Sequence, residues 1–258
     1  MAAAAPAAGT LTAPDGETIA YRRRAGRGPT LVWLPGLGSD MEGQKALAVD
    51  AFAAAHGRPV LRFDYSGHGA SSGAFEEGVV GRWLEDALLV VDALTDGPLV
   101  LVGSSMGAWI AAHLARRRPG RVAALLLIAP ALDFTDRLLE PSLSEAARAA
   151  LGAEGRWVRP SPYDPSGMVI TRALLEDGRR LSLLGGPIAF AGPVRILQGG
   201  ADRDVPVHHA LETARAFGPG DVVMELVGDA DHRISRPQDL ARLERMLHEL
   251  LRGLEGDP

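Results

Sequence analysis

Short apolar runs, most of them followed by a longer stretch at helical spacing, restrict the fold of this chain more than any other feature. The runs, rich in Val, Leu and Ile, fall at 30–34, 59–63, 99–102, 122–129, 194–197 and 222–227. Amphipathic stretches lie near 41–56, 78–94, 105–117, 206–217 and 236–252. The runs are apolar at nearly every residue rather than at every second one, which suits strands buried on both faces of a parallel sheet. Strand and helix in alternation predict an α/β domain with helices on both faces of a mostly parallel sheet. Right-handed crossovers then collect the functional loops at the carboxyl ends of the strands. The 258 residues suffice for one such domain.

One interval breaks the rhythm. From 133 to 190 no strand is evident, and Pro141, Pro160, Pro162, Pro165, Gly185 and Gly186 punctuate it. A plain loop of that length does not fit a compact domain. It is expected to be an inserted helical cap, with Phe134, Leu138, Leu139, Trp157, Tyr163, Met168 and Ile170 on its apolar faces. The core is then 11–132 with 191–258. Residues 1–10 lack a basic n-region and are interrupted by Pro6 and Gly9, so a disordered tail on a cytoplasmic protein is expected, with no membrane span.

Composition excludes several classes. There is no cysteine, hence no disulfide framework, thiolate metal site or cysteine nucleophile. The net charge of −5 argues against a nucleic-acid partner, which needs a positive surface. A basic run, Arg22-Arg23-Arg24, reads as a solvated strand end. Monomer and homodimer are not separated at this level.

The most specific motif is Gly103-Ser104-Ser105-Met106-Gly107, set between the apolar run at 99–102 and a helix that begins at once. A nucleophilic serine needs a tight, strained turn that exposes its hydroxyl, and the flanking strand and helix then approach too closely for side chains at the two glycines. Ser104 is out of register with those glycines. An ordinary strand–helix turn would also use glycine, but the strand, turn and helix together favour Ser105 as nucleophile.

Such a serine needs a base. Of seven histidines, His56 and His248 lie on helices, His113 follows the motif by about two turns, and His208 and His209 open a helix; all read as surface or packing residues. His68 sits in a glycine-rich loop after a strand, where a structural role fits better. His232 lies in the polar loop after the last expected strand, at the functional edge of the sheet. The base in turn needs a carboxylate to fix its tautomer. Asp202, after the penultimate strand, is favoured over Asp204, which could cap the following helix, and over Asp229 and Asp231, too near His232 in sequence to reach its ring in line. The oxyanion donors are expected to be the main-chain amides of Met106, at a helix N-terminus, and Leu37, in the loop Leu34-Pro35-Gly36-Leu37-Gly38. No phosphate-cradling Gly-x-x-x-x-Gly-Lys loop and no histidine pair at metal spacing is present, so neither cofactor nor metal is expected.

These residues, in this order across nearly the whole chain, resemble the α/β-hydrolase superfamily. Pro35-Gly36 stands where many members have His-Gly. Within the superfamily the chain is similar to the group of α/β-hydrolase domain-containing protein ten, in Leu34-Pro-Gly, Lys45-Ala-Leu-Ala48, Arg62-Phe-Asp-Tyr-Ser-Gly67, Asp96-Gly-Pro, Val102-Gly-Ser-Ser105 and Asp231-His-Arg233. That resemblance implies hydrolysis of esters or acyl thioesters, on the pattern of palmitoyl-protein thioesterases and acyl-glucuronide esterases, with a small-molecule or acylated-protein substrate. It does not carry mitochondrial targeting to this chain. The alternatives are C–C hydrolysis, perhydrolysis or hydroxynitrile cleavage on the same three residues, or a binding module that keeps the pocket without catalysis. Serine rather than aspartate at 105 argues against epoxide hydrolase and haloalkane dehalogenase chemistry.

Overall fold

The computed structural model describes residues 5–160 and 165–256. An eight-stranded sheet runs through the core in the order β1-β2-β4-β3-β5-β6-β9-β10. Its strands are β1 (Ala7–Thr12), β2 (Thr18–Arg24), β3 (Thr30–Leu34), β4 (Val60–Phe63), β5 (Leu99–Ser104), β6 (Val122–Ile128), β9 (Val194–Gly199) and β10 (Val222–Val227). The pairs β1/β2 and β2/β4 are antiparallel, and the rest are parallel. The chain steps outward from β3 to β4 and then returns to β5 on the other side of β3. That reversal opens a crevice beyond the carboxyl ends of β3 and β5, where α/β sheets bind their ligands.

Burial follows the strand period. Leu31 and Trp33 face one apolar cluster with Val100 and Val102, while Val32, Leu34, Leu99 and Leu101 face the other. The first cluster is closed by α1 (Gln44–Ala55) and α8 (Pro237–Glu255). The second is closed by α2 (Val80–Leu94) and α3 (Met106–Arg117), with residues of α7 (Val207–Ala216) packed against it. Local sequence sets the helix ends. Pro237 starts α8 while the Asp239 carboxylate accepts the Arg236 amide at 3.1 Å. Among the described residues no helix is long and apolar enough to cross a membrane.

The amino-terminal segment differs from the expected tail. Ala7–Thr12 forms β1, paired in register from Ala7 opposite Arg23 to Thr12 opposite Thr18. Residues 1–4 lie outside the described ones. The strand was hidden because it is a sheet edge: its side chains are mostly exposed, so main-chain pairing rather than apolar burial defines it. Asp15-Gly16 closes the hairpin, with Gly16 at φ 93°. The basic run lies inside β2, where Arg24 meets Asp50 at 3.0 Å and Arg22 meets Glu42 at 3.4 Å.

The segment 133–190 contains a π-helical turn (Thr135–Leu139), α4 (Glu140–Ser142), α5 (Glu145–Glu154) and α6 (Arg172–Arg180). It also holds an antiparallel pair, β7 (Arg156–Arg159) with β8 (Met168–Thr171), which corrects the expectation of helices alone. Trp157 and Val158 on one strand oppose Ile170 and Val169 on the other, residues whose branched or aromatic side chains suit a pleated surface. Tyr163 lies outside the described residues. Ser144 caps α5 by accepting the Ala147 amide, and Thr171 caps α6 by accepting that of Leu174, each at 3.1 Å.

Candidate active site

Ser105 stands between β5 and α3 at φ 54° and ψ −118°, a conformation that non-glycine residues rarely adopt. The two glycines of the motif make that turn possible. A Cβ on Gly103 would lie 2.4 Å from the Gly107 carbonyl oxygen, and one on Gly107 would lie 2.0 Å from that of Leu34. Neither contact is tolerable, so strand, turn and helix come this close only with hydrogen at both positions.

Three side chains distant in sequence meet here. The Ser105 hydroxyl lies 3.1 Å from His232 Nε2, and His232 Nδ1 lies 2.8 Å from Asp202 Oδ2. The Asp202 side chain is fully buried, and its Oδ1 accepts the amides of Asp204 and Val205 at 2.9 and 2.8 Å. Those bonds fix the carboxylate before it meets the imidazole. The rival carboxylates are engaged elsewhere. Asp204 does not cap α7 but pairs with Arg159 of β7 at 3.1 Å. Asp229 pairs with Arg236, and Asp231 accepts the amides of Arg233 and Ile234 in its own turn.

Donor atoms of Asp202, Asp204 and His232 lie within 4.8 Å of one another, a spacing that could hold a cation. A cation there would have to take Nδ1 from Asp202 and Asp204 from Arg159, so the donors already have partners. The arrangement fits a proton relay better than a metal centre.

Leu37 and Met106 line the same cavity as Ser105 and His232. Among the described residues neither main-chain amide has a protein acceptor. The loop carrying Leu37 is held from below by two residues that sequence reasoning did not place at the site. The Gly38 amide donates to His68 Nε2 at 3.1 Å, while His68 Nδ1 faces the Ser66 carbonyl at 3.2 Å. These contacts require the neutral tautomer with its proton on Nδ1. Burial pushes His68 below the ordinary histidine range, in keeping with that form. Asp64 accepts the amides of Met41 and Ala70 at 2.6 and 2.8 Å, clamping this loop to the one after β4.

Three other histidines pack away from Ser105, and His208 and His248 are exposed. His113 Nε2 meets the Leu181 carbonyl at 2.9 Å, His209 is buried, and His56 stacks on Phe52 at 4.2 Å between centroids.

The cavity beside Ser105 has a volume of about 820 Å³. Its apolar wall comes from Phe134, Leu138, Leu139, Met168 and Ile170, all in the segment 133–190, and its polar end from Ser105, His232 and Lys45. Lys45 is a third residue that sequence reasoning did not place at the site.

Comparison with known proteins places the chain among the α/β-hydrolases. A family model described as serine aminopeptidase, S33 matches residues 29–177. The mitochondrial palmitoyl-protein thioesterase ABHD10 of Bos taurus is 36% identical over 242 residues, 93% of this chain and 79% of its own length. The Homo sapiens protein of that name is 35% identical over the same share of each chain. Among solved structures, a protein from Agrobacterium vitis S4 has a TM-score of 0.91 at 45% identity, covering 95% of this chain and 98% of its own. Mouse alpha/beta hydrolase domain-containing protein 10 has a TM-score of 0.89 at 34% identity, covering 96% and 99%.

Proposed function

The chain belongs to the serine aminopeptidase S33 family of α/β-hydrolases, and from that premise we propose that it is a serine hydrolase cleaving carboxylic esters or acyl thioesters through an acyl-enzyme. The single observation that carries this reading is the continuous line from Ser105 to His232 at 3.1 Å and on to Asp202 at 2.8 Å.

Ser105 attacks the substrate carbonyl carbon as His232 Nε2 takes the hydroxyl proton. Asp202 keeps the proton of His232 on Nδ1 and stabilises the imidazolium that forms. The oxygen of the tetrahedral intermediate lies between the amides of Leu37 and Met106, the second at the positive end of α3. His232 then protonates the departing thiol or alcohol. In the second half His232 draws a proton from water as its oxygen attacks the acyl carbon, then gives that proton to Ser105 Oγ as the acyl–Oγ bond breaks and the acid leaves.

The acyl chain is expected to lie along Phe134, Leu138, Leu139, Met168 and Ile170. The thioesterase name of the ABHD10 relatives supports thioesters as one substrate class. Labelling with a fluorophosphonate probe tests the chemistry: the folded protein labels, and Ser105→Ala abolishes the label. A folded wild-type protein that does not label ends this reading. A panel of acyl thioesters and oxyesters of rising chain length tests the wall, and turnover fastest on acetyl esters would remove the acyl-chain assignment.

A further inference from the structure

Of the 27 lysines and arginines in the chain, 26 are arginine and Lys45 is the sole lysine. It does not sit on an open surface, where a lysine costs least. It is the second residue of α1, half-buried, and lines the cavity with Ser105 and His232. Its amine donates to the main-chain carbonyl of Arg233, the residue directly after His232.

Three effects oppose a positive charge at this place: burial, the neighbouring Arg233 guanidinium, and the positive end of the α1 dipole. Burial first, then Arg233, brings the amine well below the usual lysine range, to about 8, against the pull of Asp231, Asp202 and Asp239. Those groups, with His232, face Lys45 from the loop after β10, the loop after β9 and the first turn of α8. Asp40 from its own side, Arg203 and Asp204 from the loop after β9, Arg159 of β7 and Glu76 complete the charged lining of the cavity. An arginine would bring a broader planar fork and a charge that does not titrate. A methionine would bring none. The position therefore holds a compact donor whose charge is kept at a cost.

Resting on the reading of Ser105, His232 and Asp202 given above, we propose that Lys45 is the positioning residue of the His232 loop. Through the Arg233 carbonyl its ammonium holds the imidazole in line with Ser105, and proton transfer requires the protonated amine. An ionised donor holds a carbonyl about twice as strongly as a neutral one, so loss of the Lys45 proton loosens the loop without unfolding it.

The test compares wild type, Lys45→Met and Lys45→Arg on a medium-chain 4-nitrophenyl ester from about pH 6 to about pH 10. Fluorophosphonate labelling rates and thermal unfolding are measured alongside. Wild type is expected to lose kcat along an alkaline limb centred near 8. Lys45→Met lowers kcat and the labelling rate about ten- to a hundred-fold with KM unchanged, the scale of a misplaced catalytic group, and has no such limb. Lys45→Arg recovers much of kcat near neutrality and moves the limb out of range. A folded Lys45→Met protein with wild-type kcat and the same limb overturns the proposal, as does a loss confined to KM. Should Lys45→Met not fold, a limb near 8 that persists in Lys45→Arg overturns it. Wild-type labelling with an unaltered Lys45→Met rate sinks this proposal alone, whereas a wild-type protein that never labels sinks the reading of Ser105 as well.

Discussion

The sheet and the segment 133–190 wall one cavity and share one apolar core, but the segment is also tied down by a buried carboxylate. Val32, Leu101 and Leu125 in the sheet are fully buried between layers of helices, so apolar burial fixes the strand ends that carry Ser105, Asp202 and His232. The segment 133–190 adds to the same core with residues such as Ala147, Ile170 and Leu174, at 0%, 1% and 2% exposed. Buried polar bonds fasten its base in addition. Asp133, fully buried at φ 52°, accepts the Ser182 hydroxyl at 2.7 Å and the amides of Leu183 and Leu184 at 2.8 and 2.7 Å. One carboxylate thus ties both ends of the segment together. The geometry of the three side chains belongs to the sheet, and the shape of the apolar cavity wall to a piece fastened at its base.

If that division holds, changes in the core loops abolish turnover and leave the fold intact. Asp202→Asn should lower kcat about 10⁴-fold, because an amide that donates to Nδ1 selects the wrong histidine tautomer. Its thermal midpoint should stay near wild type. A variant retaining a tenth of wild-type kcat would mean that another acid serves His232, and the line of three residues would have to be redrawn.

The opposite result is expected at the base of the segment. Asp133→Ala leaves two buried amides without an acceptor, at about 1–3 kcal/mol for each such group. Limited proteolysis should then cut within 133–190 ahead of global unfolding, and KM should rise more than kcat falls. Cleavage spread evenly over the chain would erase the distinction between the two regions.

The same contrast explains what the sequence made legible. All six apolar runs became strands β3, β4, β5, β6, β9 and β10, within two residues at each end. Burial on both faces leaves an unmistakable pattern. The pairs β1/β2 and β7/β8 were harder to find because their side chains are partly exposed and their main-chain pairing has no residue code. At the site, 105, 202 and 232 could be brought together on paper because each follows a strand of the sheet. The sequence favours Asp202 over Asp204, and the side-chain directions put the first on His232 and the second on Arg159. The contacts of His68 and Lys45 at the site were not legible because their partners are the Gly38 amide and the Arg233 carbonyl, groups that every residue carries.

Acid should strain both regions through buried imidazoles. Burial lowers His68, His113 and His209 below the ordinary histidine value of 6.5. Between 6.5 and those lower folded values the unfolded chain binds more protons than the folded one, so stability falls as pH drops through that window. Each unit of depression contributes about 1.4 kcal/mol to the loss. Denaturant midpoints above and below the window measure it. His68→Gln should flatten the slope in part and, by loosening the Gly38 amide, lower kcat with little change in KM. A slope unchanged in that variant would show that His68 is not among the groups that charge.

The smallest effect is expected where the two regions touch at the cavity mouth. Arg159 on β7 and Asp204 on the loop after β9 are both partly exposed, at 43% and 32%, so solvent screens their 3.1 Å contact. Such pairs contribute under about 1 kcal/mol. Asp204→Asn should therefore leave the thermal midpoint and kcat near wild type, in contrast to Asp202→Asn two residues away. What it should change is access: with the pair gone the mouth opens more readily, and KM for bulky substrates should fall slightly at low salt, converging on wild type as salt rises. A large loss of kcat in Asp204→Asn would mean that the segment 133–190 takes part in aligning His232 rather than only walling its substrate, and the separation between sheet and fastened piece would not stand.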